Sequence, residues 1–318
     1  MHLIFDVKLD LTYKARLVAD GHKTPDQVES TYAGVVSRKS VRIAFTYASL
    51  MCLQVWGADI QNAYISAPTS EKFWVRCGPE FGSECMGKRA LVKRALCGMK
   101  LAGRDFRNHL RDCMDHLGYK PCKADPDMWY RLGKNKEGLE YYEYALLYVD
   151  DCLMVSESPD ESLQRIGKYF TLKPGSVGEP KLYLGARISK VVLPNGVKAF
   201  AWSPSRYIQE AVKNLERQLD KKGAKLKRGI NSPLSNGYRP ECDLSPECNE
   251  ENTRLYMSLI GVLRWIVELG RIDLTVEVSM LSSYSAAPRE GHMQQLLRIF
   301  VSLKITIIAG WFLIVPIQ

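Results

Sequence analysis

Apolar and polar positions along the chain first predict two strands, Leu3 to Leu9 and Tyr13 to Ala19, with a turn near Asp10-Leu11-Thr12. Period-two alternation on the second puts Tyr13, Ala15 and Leu17 on one face and Lys14, Arg16 and Val18 on the other. A helix follows, opened by Ser37-Arg38-Lys39-Ser40, with Val41, Ala44, Phe45 and Ala48 on its apolar face. Cys52 to Ile65 reads as a strand running to Asp59 and then a turn or helix start at Gln61-Asn62. Phe73 to Val75 and Ala90 to Lys100 are further apolar segments, separated by a Gly/Pro-rich loop. Phe106, Leu110, Cys113, Met114 and Leu117 recur at helical spacing, which predicts a helix over Ala102 to Leu117 lying on a sheet. Strands are expected at Met128 to Arg131 and on both sides of Tyr148-Val149-Asp150-Asp151, then a helix over Asp160 to Phe170. Lys181 to Lys190 reads as one strand, joined through the turn signal Asn195-Gly196 to Val197 to Trp202. From Ser203 the pattern turns helical, at Ser205 to Leu219, Glu251 to Glu268, Leu274 to Ser283 and Arg289 to Lys304, with Leu263, Trp265, Ile266 and Leu269 as core. The whole describes an α+β or split βαβ chain, a sheet backed by helices.

Chemistry gathers at the ends of two apolar runs. Asp150-Asp151 stands where Tyr144 to Leu147 gives way to Leu153 to Val155, at the tip of a hairpin. Adjacent carboxylates there repel one another, unless solvent or a bound cation offsets the charge. Taken alone the pair is also a plain Asp-Asp turn in water. Asp59 ends another apolar run, and by itself is equally an N-cap. Antiparallel packing of the two runs gathers three acids, a set suited to divalent cations and in-line phosphoryl transfer. Lys14 and Arg16, with Lys8 across the first hairpin, form a cationic group suited to a triphosphate, or a solvated edge where lysines deter aggregation.

Composition narrows this only a little. With 318 residues the chain is long enough for two or three compact units. Its net charge of +9 favours a polyanionic partner, a description that nucleic acid, a membrane surface and an acidic protein all meet. Nine scattered cysteines without a Cys-x-x-Cys pair, and no signal peptide, predict reduced thiols in an intracellular protein. Five unclustered histidines argue against zinc. The apolar tail from Ile305 to Ile317 is shorter than the ~20 residues of a membrane span, so no membrane partner is expected. The run from Arg217 to Arg228 holds six basic residues against one acid, a solvated linker or a track for a phosphate backbone.

Five motifs now stand in order: Tyr13-Lys14-Ala15-Arg16-Leu17-Val18, Asp59-Ile60-Gln61-Asn62-Ala63-Tyr64, Ala95-Leu96-Cys97-Gly98-Met99-Lys100, Tyr148-Val149-Asp150-Asp151 and Tyr183-Leu184-Gly185. In that order, over nearly the whole chain, they resemble the reverse transcriptases of copia-type retrotransposons. Leu259-Ile260-Gly261 to Trp265 and Pro288 to His292 resemble the region that follows the polymerase there.

The resemblance implies a right-hand polymerase. Residues 1–50 would be a fingers hairpin and helix, lacking earlier strands; 51–202 the palm with the remaining fingers elements; 203–304 a helical thumb or connection; 305–318 an apolar tail. It implies RNA-directed DNA synthesis with two Mg²⁺ ions on Asp59 and Asp150, supported by Asp151. Tyr64 would exclude a nucleotide's 2′-hydroxyl, and Lys8, Lys14 and Arg16 would grip the incoming deoxynucleoside triphosphate. Gly98, Met99 and Lys100 would lie on the template side, and Tyr183 to Gly185 would grip the primer. Cys97 stands where the family commonly has an aromatic residue, and no ribonuclease H, integrase or protease segment is recognised. The chain is therefore expected to be a piece of a retroelement polyprotein, cut near Lys304, acting in a cytoplasmic particle or the nucleus. Two alternatives are a decayed, inactive fragment that binds nucleic acid, and an unrelated hydrolase using the same carboxylates.

Overall fold

The computed structural model describes the chain except residues 8–12, 25–29, 193–195, 197, 222, 227, 228, 230, 231, 308–310 and 313–318, with backbone only at 6, 7, 311 and 312. The expectations resting on Lys8, on the turn at 10–12 and on Asn195 lie outside the described residues. The chain divides into two compact units, Met1–Glu179 and Pro180–Gln318.

In the first unit, β1 (His2–Val7) pairs antiparallel with β2 (Tyr13–Val18), so that Ile4 stands opposite Arg16. Helix α1 (Arg38–Leu50) begins where the Ser37 hydroxyl accepts the Ser40 N–H, and it buries Val41, Ala44, Phe45 and Ala48. Then come β3 (Gln54–Asp59), the single turn α2 (Ala63–Ser66), and the pair β4 (Pro68–Arg76) and β5 (Arg89–Arg94). Helix α3 (Ala102–His116) precedes β6 (Lys120–Pro121), β7 (Met128–Lys134), β8 (Glu140–Tyr148) and β9 (Asp151–Ser156). Helix α4 (Pro159–Ile166) follows and stops four residues short of the predicted end at Phe170.

Among the described residues, five strands form one antiparallel sheet in the order β3-β9-β8-β7-β6. Every residue of β9 from Cys152 to Ser156 is buried, so both faces of this strand are covered. Cys152, Met154, Ala145 and Leu147 pack with Phe106, Leu110 and Met114 of α3 and Leu163 and Ile166 of α4. The alternate residues Leu153, Val155, Leu146 and Val55 must then face the other way, where α1 packs on β3 and β9. A central strand buried on both sides gives the acids at its end a rigid base.

The second unit opens with β10 (Leu182–Tyr183), β11 (Ala186–Val192) and β12 (Lys198–Ser203). Here the reading of Lys181 to Lys190 as one strand is corrected. The chain reverses at Leu184-Gly185, whose φ values of 49° and 86° both lie in the left-handed region, and Tyr183 pairs with Ala186. Helices α5 (Ser205–Lys221), α6 (Glu250–Leu269), α7 (Thr275–Ser282) and α8 (Glu290–Ile305) share one core. α5 contributes Ile208, Val212, Leu215 and Leu219 at helical spacing, α6 Leu259, Leu263 and Ile266, and α8 Leu296, Ile299 and Leu303. Leu263, Ile266 and Leu269 are buried as predicted, whereas Trp265 is only partly so. The short β13 (Trp311–Phe312) pairs with β12. No helix among the described residues is long and apolar enough to cross a membrane.

Candidate active site

Strand pairing brings the acids together. In the β3–β9 ladder Asp59 is the register partner of Asp151, and in the β8–β9 ladder Asp151 is the partner of Tyr148. Directly opposed residues of an antiparallel pair have Cα atoms about 4.5–5.5 Å apart. Asp150 is bound in as well, because its carbonyl accepts the Ile60 N–H at 2.8 Å. Three carboxylates from positions far apart in the chain thus sit at one end of one sheet.

The backbone is unusual on both sides of this point. Asn62, which caps α2, has φ 54°, and Val149 at the hairpin tip also has φ 54°. Asn tolerates the left-handed region, but a β-branched valine is strained there by about 1–3 kcal/mol. The paired strands hold this strained turn, with Asp150 at its tip between Tyr148 and Asp151.

Like charges directly opposed on a ladder are unfavourable. Burial first, and then repulsion from Asp150 and Asp59, push the Asp151 carboxyl up to about 6, while Lys173 opposes the rise. The Lys173 ammonium donates to Asp59 Oδ2 at 2.7 Å, and this bond is the main reason that the lysine is held above its ordinary value. The segment carrying Lys173 lies along the free edge of β3: Gln61 N–H donates to Thr171 O, Lys173 N–H to Asp59 O, and Gly57 and Gly178 exchange backbone bonds. Ser176 completes it, accepting the Asp59 N–H and donating to Lys173 O.

Tyr64 stands beside this group. Its phenol is raised above its usual range by burial, then by the charges of Cys97 and Asp150, and its ring meets Phe106 edge-on at 6.1 Å. It packs against two apolar clusters, the sheet core and a smaller one built from Ala19, Ala95, Met99 and Ala102. It also lines a small, mainly apolar hollow with Val149, Leu147, Phe106 and Arg107. The rim of that hollow is braced by Arg107, which grips Asp127 through two bonds of 2.7 and 3.0 Å.

The remaining expected residues lie on other elements. Lys14 and Arg16 stand on β2, half-buried and exposed respectively. Lys100 donates its ammonium to Thr24 O at 2.8 Å. Its turn packs closely on the chain after β2: Gly21 N–H donates to Gly98 O, and a Cβ on Gly98 would lie 2.2 Å from Ala19 O. Sequence reasoning named Asp59, Asp150, Asp151 and Tyr64, which this fold gathers, but missed Lys173 and Ser176. In sequence, Lys173 is simply one more lysine in a Lys-Pro-Gly loop.

Hard carboxylate oxygens in mutual repulsion fit a divalent cation such as Mg²⁺. As the side chains stand, no group of three or more His, Cys, Asp or Glu among the described residues is arranged to hold a metal ion. Lys173 supplies the compensating charge.

Comparison with known proteins agrees with the motif order. Residues 2–216, more than half of the chain, match the family described as reverse transcriptase (RNA-dependent DNA polymerase). The chain is similar to the Retrovirus-related Pol polyprotein from transposon TNT 1-94 of Nicotiana tabacum, 26% identical over 302 residues, which are 91% of this chain and 21% of that protein. It is also similar to the Retrovirus-related Pol polyprotein from transposon RE1 of Arabidopsis thaliana, 25% identical over 95% of this chain and 19% of that protein. The Transposon Ty1-DR1 Gag-Pol polyprotein of Saccharomyces cerevisiae is 23% identical over 90% of the chain and 16% of its own length. The chain spans between about a sixth and a fifth of the length of these relatives. It belongs to the reverse transcriptase (RNA-dependent DNA polymerase) family, and within it to the copia type.

Proposed function

We propose that this chain is the polymerase segment of a retroelement Pol polyprotein and extends a primer on an RNA or DNA template from deoxynucleoside triphosphates. The observation that carries the reading is the register of Asp59 with Asp151, beside Asp150 on its strained turn. In this reading 1–50 act as fingers, 51–202 as palm, 203–304 as thumb or connection, and 305–318 as an apolar tail. Asp59 and Asp150 would hold two Mg²⁺ ions, with Asp151 in support. When bound, such ions stabilise the charge on the triphosphate and lower the pKa of the attacking primer hydroxyl.

The protein's own groups do the rest. The sheet end holds the backbone of Asp59 and Asp151 in register, so that only side chains need to move on binding. Tyr64, wedged on Phe106, forms a firm wall against a 2′-hydroxyl. Lys14 and Arg16, with Lys8, contact the phosphates; Gly98, Met99 and Lys100 guide the template; the Tyr183-Leu184-Gly185 turn holds the primer. Extension of a labelled primer on an RNA template tests the proposal. Synthesis that needs Mg²⁺ and disappears in Asp150→Asn supports it, and no synthesis under any metal contradicts it.

A second reading is favoured by the Lys173–Asp59 ion pair, which offsets one of the three carboxylate charges without a metal. The chain would then bind nucleic acid without copying it. A gel shift that persists in EDTA, with no extension, would support that reading over the first.

A further inference from the structure

We propose that Lys173 is the resident cation of the carboxylate site: it neutralises Asp59 until a divalent ion arrives, and it must be displaced for that ion to bind. This rests on the metal-dependent polymerase reading above.

Asp59 and Asp151 face each other across a ladder, with Asp150 adjacent, and such a group is held more easily with a positive charge nearby. Lys173 provides it at 2.7 Å, on one oxygen of the Asp59 carboxylate that would hold a metal. The lysine is not locked in. Its side chain is 51% exposed and that of Asp59 28%, and a half-exposed pair of this kind is weak. Its ammonium is a point charge on a flexible four-carbon stem. The segment beneath it is fastened by other bonds, those of Thr171, Lys173 N–H, Ser176 and Gly178. The ammonium therefore leaves Asp59 without the segment leaving β3. A divalent ion attracted by three carboxylates outcompetes one ammonium held by a single bond, so Lys173 acts as a placeholder and not as a block.

The test is Mn²⁺ binding to the full chain, followed by electron paramagnetic resonance of the free ion without nucleic acid or nucleotide. Lys173→Met and Lys173→Gln are expected to tighten Mn²⁺ binding by roughly 3- to 10-fold, while Lys173→Arg stays within about 2-fold of wild type. A merely structural lysine predicts the opposite, since loosening the segment would leave affinity unchanged or lower. Unchanged or weaker binding in both neutral variants overturns the proposal. Asp59→Asn separates this failure from the failure of the underlying reading. If it weakens Mn²⁺ binding, the carboxylate site stands and only the role of Lys173 falls. If it has no effect, the site reading itself falls, and the proposal with it.

Discussion

Among the described residues, two hairpins reverse direction in two residues, and they do so differently. The β10–β11 turn uses Leu184-Gly185 with both residues left-handed, the form whose twist suits a two-residue hairpin, and glycine carries the larger φ without cost. The β8–β9 turn uses Val149-Asp150, with a β-branched residue left-handed and a carboxylate next to it. The first turn follows local preference at Gly185, though a leucine at φ 49° does not, and it carries no charge. The second departs from it in backbone and in charge at the one place where Asp59 comes alongside. Departures from local preference held in place by a rigid sheet are a mark of a functional site.

The largest expected effect separates the turns by function. Asp150→Asn should reduce primer extension by at least about 10³-fold, the consequence of losing several kcal/mol of metal-assisted stabilisation, with an unchanged melting curve. Gly185→Ala should act on the fold first, with a smaller loss of extension. An alanine at φ 86° costs about 1–2 kcal/mol in urea unfolding, and the added Cβ meets only ordinary contacts with Leu269 and Trp265.

Asp151→Asn should stabilise the metal-free protein by about 1 kcal/mol near neutral pH, after allowance for solvent screening, even as it damages synthesis. The sign follows from its raised carboxyl. Between the ordinary value of 3.8 and about 6 the folded state keeps a proton that the unfolded chain has released, so this group's contribution to stability falls as pH rises through that window. Urea unfolding in EDTA at pH 4 and pH 7 should therefore show the variant gaining on wild type only at the higher pH. The smallest effect is Leu184→Asn, which creates the favoured Asn-Gly pair and should raise stability by about 0.5 kcal/mol. A loss on that substitution would mean that the β10–β11 turn is also under constraint.

Much of this was legible in the sequence where a face is buried. Val41, Ala44, Phe45 and Ala48 recur at helical spacing because α1 has one covered side, and they are its buried residues. The convergence of Asp59 with Asp151 was legible too, since each acid ends an apolar run and apolar runs pair. What escaped depends on contacts with no local signature. Lys173 meets Asp59 across 114 positions of chain, and its own surroundings read as loop. Tyr183-Leu184-Gly185 read as strand because its neighbours are strand-like; a glycine within an apolar run was the available clue to a turn. Helix α4 gives way to turns after Ile166, yet Phe170 keeps the apolar spacing: its N–H donates to Ile166 O and its ring packs beside Phe106.

The central claim is that acids from two distant stretches of chain form one divalent-ion site. Localised cleavage by Fe²⁺ tests it most directly, since iron bound in place of Mg²⁺ reduces added peroxide, with ascorbate recycling the iron, to radicals that cut only nearby backbone, and mass spectrometry maps the cuts. The account predicts cuts near Asp59 and near Asp150-Asp151 at the same iron concentration, suppressed together by Mg²⁺ and lost together in Asp59→Asn. Cutting at only one of these places, or at neither, would contradict it.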